Sequence, residues 1–205
     1  MAWRTRRQQI GNLAEGLVKA GALQFGTFTL PGGRESSYYI NLKGILSYPG
    51  LYALAVDSMT RLVSSKASRA NAICGIPLNG LTLAAPLAVS LKKPLVYAVL
   101  TGRTGGRGVE GEVRPGWDVV LVDDLSTSGK TILSSAKCVE EEGGEVKSAF
   151  VLIDRMEGAR ERLSKEGISL HCLTDVLELA DTLFSMELIR EDDLRSITKS
   201  VGRRQ

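Results

Sequence analysis

Histidine is almost missing from this chain: His171 is the only one in 205 residues. That absence removes histidine-based metal sites and argues against a Ser-His-Asp triad. Cysteine is also scarce. Cys74, Cys138 and Cys172 are odd in number and far apart, and no pair has metal-ligand spacing. Free thiols in a reducing compartment are expected. Net charge is small, with 26 basic against 23 acidic residues giving +3. A nucleic-acid partner calls for a dense basic face, so none is expected. Arg4, Arg6, Arg7, Arg203 and Arg204 read as solvated tails. No apolar run reaches the ~18 residues of a membrane span. The opening MAWRTRRQQI lacks the apolar core of a secretory signal. A soluble, cytoplasmic protein is the expectation. Its 43% hydrophobic and 24% charged content suits one globular domain with room for a small appendage.

What is present falls into two rhythms. Ile10, Leu13, Ala14 and Leu17 repeat at helical spacing, and Gly21 follows as a stop. Residues 22–30 and Tyr38–Leu42 are rich in strand formers around the turn PGGRESS, so they predict a hairpin. Leu51, Leu54, Ala55, Ser58 and Leu62 describe another amphipathic helix. From Ala72 short apolar strands alternate with helical segments. Strands are expected at 72–75, 95–99, 119–122, 146–153 and 169–173, and helices at 81–91, 131–142, 159–166 and 174–184. Such alternation means an α/β fold, a parallel sheet flanked by helices, here with a small N-terminal α+β hood. The expected layout within a single domain is hood elements over about 1–50, an α/β core over about 70–185, and a C-terminal helix with a basic tail over 186–205. Ligands of such sheets bind beyond the carboxyl ends of the strands. That rule directs attention to the loops 75–81, 100–116 and 123–131.

The most informative segment is VVLVDDLSTSGKT, residues 119–131. Four apolar residues make a buried strand, Asp123 and Asp124 follow at its end, and a hydroxyl-rich turn with Gly129 enters a helix. A helix N-terminus with nearby hydroxyls is a phosphate cradle, and glycine lets the backbone approach the phosphate. Two carboxylates would repel a bare anion. They suit a ligand that also carries a diol or a metal, such as a sugar phosphate whose diphosphate is balanced by Mg²⁺. The plain alternative is a capped helix after a buried strand, with the acids at the surface. Gly129-Lys130-Thr131 resembles the end of a P-loop, but Asp124 stands where the first glycine belongs. Gly106, Gly108 and Gly111 match a dinucleotide fingerprint by letters, but a strand and not a helix follows.

The run VVLVDDLSTSG resembles the donor-binding motif of type I phosphoribosyltransferases. Residues 21–52, the segment AICGIPLNGLTLAAPLA and the run AFVLIDRMEGARERLSKEGISLHCL resemble orotate phosphoribosyltransferases in content and spacing. The resemblance, which spans about 10–184, implies the type I phosphoribosyltransferase fold and transfer of ribose 5-phosphate from 5-phosphoribosyl 1-diphosphate to orotate. It implies that Asp123 and Asp124 hold the ribose hydroxyls, with Leu125, Ser126, Thr127, Ser128, Gly129, Lys130 and Thr131 lining the ribose and 5-phosphate. Ile76, Pro77, Leu78, Asn79 and Gly80 would lie against pyrophosphate. Thr127 and Arg155 would meet orotate, with Tyr38 and Tyr39 forming an aromatic wall near the base. A guanidinium suits the carboxylate of orotate because it pairs bidentately. Read without the family, Arg155 pairs with Asp154 or Glu157, and the tyrosines are hairpin core. Mg²⁺ would come with the substrate, either acid being its nearest protein group, and a homodimer is implied.

The chain departs from the family in one loop. Members usually carry a basic pair after the strand at 95–99, then further lysine and histidine. The stretch AVLTGRTGGRGVEG has neither, so Arg103 and Arg107 are the expected catalytic cations beside Asp123 and Asp124. A lysine usual in the first hairpin is replaced near Pro31. The rival expectations are a non-catalytic sensor or regulator that binds the same donor, and a phosphoribosyltransferase for another base.

Overall fold

The computed structural model describes residues 5–29, 35–100 and 108–202. The chain forms two compact units, residues 1–55 with 174–205, and residues 56–173. In the first unit, helix α1 (Arg6–Lys19) starts at a capping box in which the Thr5 hydroxyl accepts from the Gln8 amide and Gln8 returns the bond. Strands β1 (Leu23–Thr29) and β2 (Glu35–Ile40) pair antiparallel, with an irregularity between Phe25 and Phe28. A 3₁₀ turn (Leu42–Ser47) leads into helix α2 (Pro49–Lys66), within which the division between the units falls.

The second unit holds a six-stranded sheet built from β3 (Ala72–Gly75), β4 (Leu95–Val99), β5 (Gly108–Glu110), β6 (Val119–Ser126), β7 (Ser148–Asp154) and β8 (Ser169–Asp175). The strand order is β5-β4-β3-β6-β7-β8. The pairs β3·β4, β3·β6 and β6·β7 are parallel, and β5 runs antiparallel on the edge against β4. Helices α3 (Asn79–Leu91), α4 (Lys130–Glu141) and α5 (Ala159–Ser164) connect these strands. Val119, Val120, Leu121 and Val122 are wholly buried, as a central strand covered on both faces requires. Each such side chain contributes about 1.5–3 kcal/mol relative to an exposed one. The α/β reading with a mostly parallel sheet and a small N-terminal antiparallel sheet holds.

Three expectations change. The strand expected at 119–122 runs on to Ser126, so Asp123 and Asp124 are strand residues; Asp123 pairs in register with Val151 and Ser126 with Asp154. The helix expected to close the core is α6 (Val176–Ser185), and it belongs to the first unit, where it packs on α1 and on α7 (Glu191–Gly202). Its apolar stripe, Val176, Leu179, Ala180 and Leu183, is buried there. The edge strand β5 was not foreseen, since three residues carry too little periodicity to read. No helix among the described residues is long and apolar enough to cross a membrane.

Candidate active site

The carboxyl ends of β3, β6 and β7 bring the informative loops together. The Ile76 amide donates to the Val122 carbonyl at 3.0 Å, tying the loop after β3 to the middle of β6. Gly80, in the first turn of α3, lies against β6 so closely that a Cβ there would stand 2.3 Å from the Val122 oxygen and 2.7 Å from the Asp123 Cα. Both obstacles are backbone, so only glycine permits this approach. Asn79 beside it donates its Nδ2 to Asp124 Oδ2 at 3.0 Å.

The acid pair therefore sits in a crowded frame. Asp124 is 6% exposed. Its own amide donates to Asp123 Oδ1 at 2.9 Å, and the Leu125 amide donates to Asp124 Oδ1 at 2.9 Å. Burial pushes the Asp123 carboxyl well above the usual carboxylate range, the Asp124 charge adds to the rise, and the Asp124 and Gly80 amides offset part of it. Asp124 is also raised by burial, against the hydrogen bonds from Asp123, Leu125 and Asn79. Among the described residues neither acid makes an ion pair. Two adjacent carboxyls, one buried and one half-buried and both without a cationic partner among the described residues, favour a ligand that brings hydroxyls or a cation.

Beyond them the chain turns through Thr127, Ser128 and Gly129 into α4. Gly129 is the N-cap at φ 74°, and a Cβ on it would stand 3.1 Å from the Ala159 Cα. No side chain caps α4 among the described residues, so the first amides of a twelve-residue helix are left for a ligand. Thr127 and Ser128 are half-buried and Lys130 is exposed at this mouth. Ser126 differs from its expected part in the cradle. Its hydroxyl is buried and donates to Asp154 Oδ1 at 2.8 Å, which turns that group away from the cradle.

The end of β7 is built in the opposite way. Asp154 is wholly buried and accepts from the Ser126 hydroxyl, the Met156 amide at 3.0 Å and Arg160 Nε at 2.8 Å. Arg160 reaches further, to the Leu170 carbonyl at 3.1 Å and Cys172 Sγ at 2.9 Å. Of the two partners open to Arg155 in the sequence, the structure selects Glu157, at 3.0 Å with both side chains buried. The parts of Asp154 and Arg160 were missed. The only sequence signal is an arginine six residues after an aspartate, in the first turn of a short helix.

Tyr38 is wholly buried in the first unit and shares a small apolar pocket with Leu23, Leu179, Leu183 and Ile197. Tyr39 is exposed, its ring 5.7 Å from that of Phe28. Arg103, Arg107 and the position near Pro31 lie outside the described residues. Leu78, in the loop before α3, is largely exposed at the lip, while Ile76 is buried beneath it.

The chain is similar to known proteins over most of its length. Residues 51–176 match the model of the phosphoribosyl transferase domain. An orotate phosphoribosyltransferase of Cenarchaeum symbiosum is 40% identical over 185 residues, covering 88% of this chain and 92% of that protein. The crystal structure of orotate phosphoribosyltransferase from Aeropyrum pernix superposes with a TM-score of 0.73 at 35% identity, covering 85% of this chain and 99% of that one. The Mycobacterium tuberculosis enzyme, solved with 5-phospho-α-D-ribosyl 1-diphosphate, has a TM-score of 0.67 at 27% identity, covering 83% and 98%. This chain belongs to the orotate phosphoribosyltransferase family.

Proposed function

We propose that the protein transfers ribose 5-phosphate from 5-phosphoribosyl 1-diphosphate to orotate, giving orotidine 5′-monophosphate and pyrophosphate. The observation that carries this reading is the uncompensated acid pair Asp123–Asp124 beside the open N-terminus of α4. The acids accept the ribose hydroxyls, and the amides from Gly129 to Thr131, with the Thr127 and Ser128 hydroxyls, take the 5-phosphate. The loop from Ile76 to Gly80 lies against the pyrophosphate. The chain supplies position and charge stabilisation, and no covalent nucleophile is required.

Mg²⁺ fits this donor set. Among the described residues no three histidine, cysteine, aspartate or glutamate groups form a metal cage. An ion that keeps several waters and binds through substrate phosphates with one or two carboxylates needs none, and Asp123 or Asp124 supplies that carboxylate. When bound, the ion neutralises charge on the departing pyrophosphate. Arg103 and Arg107, the only basic residues between Val99 and Glu112, are proposed as the cations that assist it. Arg155 offers its guanidinium to the carboxylate of orotate while remaining paired to Glu157, with Thr127 beside the base. A homodimer working in the cytoplasm completes the reading.

The test is incubation of the protein with the diphosphate donor, Mg²⁺ and a panel of bases, with pyrophosphate release as the readout. Release with orotate alone supports the proposal. Release with a different base transfers the assignment to that base. Tight donor binding with no release on any base favours the donor-sensing regulator.

A further inference from the structure

The Ser126 hydroxyl spans two strands. It sits at the last residue of β6, where the donor loop begins, and its partner Asp154 is the last residue of β7, 28 positions later. A second tie runs alongside it, since the Arg155 amide donates to the Ser126 carbonyl at 3.0 Å. Asp154 in turn shapes the turn that follows. It holds the Met156 amide at 3.0 Å, and Met156 adopts a left-handed φ of 56°, uncommon for a side chain of its kind. That turn sets Arg155 and Glu157 side by side at 3.0 Å. Arg160 neutralises Asp154 from the far side at 2.8 Å. The carboxylate is thus wholly buried, yet it is bonded both to the donor loop and to the turn carrying Arg155.

We propose that Asp154 is a positioning residue for the reaction, and that its bond to Ser126 is a strut through which the donor loop sets the geometry of the turn bearing Arg155, so that occupying the donor site orders the acceptor site. The inference rests on the proposed function for the identity of the acceptor. The strut itself needs only a donor that binds at residues 123–131. Ser126 cannot serve through direct contact with orotate or phosphate by its hydroxyl, because that group is buried against Asp154.

Ser126→Ala removes the strut and leaves Asp154, Arg160 and Met156 joined. It is expected to raise KM for orotate about threefold to tenfold, the range of one net hydrogen bond, with a smaller fall in kcat and little change in thermal midpoint. Asp154→Asn is expected to do at least as much. The double variant should match Asp154→Asn within about twofold, because both changes cut the same link. Hydrogen exchange supplies a readout independent of turnover. Donor with Mg²⁺ should slow exchange at the Arg155 and Met156 amides in the wild type and much less so in Ser126→Ala. An unchanged KM for orotate in Ser126→Ala, or effects of the two substitutions that multiply, overturns the strut. If Asp154→Asn does not fold, Ser126→Ala alone decides. If the wild type turns over no orotate, the functional reading fails, and equal donor-induced protection in wild type and Ser126→Ala then overturns the strut as well.

Discussion

The neighbouring ends of β6 and β7 hold much the same kinds of residue and treat them in opposite ways. At the end of β6 a half-buried and a buried acid stand side by side with amides and one asparagine for company, and both carboxyls are raised. At the end of β7 a buried acid, Asp154, has an arginine at 2.8 Å, and Arg155 has Glu157 at 3.0 Å. A satisfied cluster is a structural joint. An unsatisfied one is held at a cost by the rest of the fold and is relieved when a ligand arrives. On the proposed function the unrelieved β6 end takes the donor, while the β7 end holds Arg155 ready for the acceptor through ion pairs of its own.

The largest effect that would test this contrast is at Gly80. Gly80→Ala should push α3 off β6, because its Cβ meets backbone at 2.3 Å and 2.7 Å. Overpacking of that kind costs about 1–3 kcal/mol of stability. Donor affinity measured by calorimetry should fall by more than about a hundredfold, since the acid frame shifts with it. Donor binding that survived intact would mean the approach of α3 is not what shapes the site.

Next come the acids themselves. Asp123→Asn should weaken donor binding by about tenfold to a hundredfold, the contribution of a hydrogen bond to a charged group. The same change should leave the ligand-free protein as stable as before or more so at neutral pH, because it removes a carboxyl that burial disfavours in its charged form. The sign follows from linkage. Asp123 ionises at higher pH folded than unfolded, so between ~4 and its folded value the folded state holds the extra proton. Its contribution therefore falls as pH rises through that window, while donor with Mg²⁺, which needs the charge, binds better. Thermal melts across pH should show that downward slope in the wild type and a flatter line in Asp123→Asn. A wild type whose stability rose with pH through the window would place the charged form as the favoured one and dissolve the contrast.

The β7 cluster should respond in the opposite sense. Arg160→Ala leaves Asp154 buried without its cation, and breaking a buried pair in this way costs about 3–5 kcal/mol, less here because Arg160 is half exposed. Stability should fall, while donor affinity of the protein that remains folded changes much less than in Asp123→Asn. The smallest effect concerns the base. Glu157 keeps Arg155 paired when no acceptor carboxylate is present, so uracil should be a poorer acceptor than orotate by only about tenfold, the low end for a charge-assisted bond. Equal rates with the two bases would remove Arg155 from acceptor choice.

The β6 end was legible in the sequence for a physical reason. An apolar run of four, then two acids, then small hydroxyl residues before a helix is a local pattern, and local patterns survive in one dimension. Even there the strand was read short, because aspartate is a poor strand former and only pairing with Val151 and Ile153 keeps the chain extended to Ser126. The β7 end was mostly illegible. The bond between Ser126 and Asp154 spans 28 residues, and the reach of Arg160 to Leu170 and Cys172 depends on how β8 lies. The helix at 176–185 shows the same limit. Its amphipathic stripe announces a helix but not which core will bury it.

The first unit is sewn together from the two ends of the chain. Arg6 grips Glu178 with two bonds of 2.5 and 2.7 Å, and Tyr38 is closed in by Leu179, Leu183 and Ile197. During synthesis, then, α1, β1 and β2 emerge well before the α6 and α7 that cover them. The sheet strands β3 to β8 can all be present while α1, β1 and β2 still expose apolar faces meant for α6 and α7. A chain that has emerged only as far as Asp175 has its sheet strands free to pair and α1, β1 and β2 uncovered, which is the form that quality-control proteases and chaperones recognise.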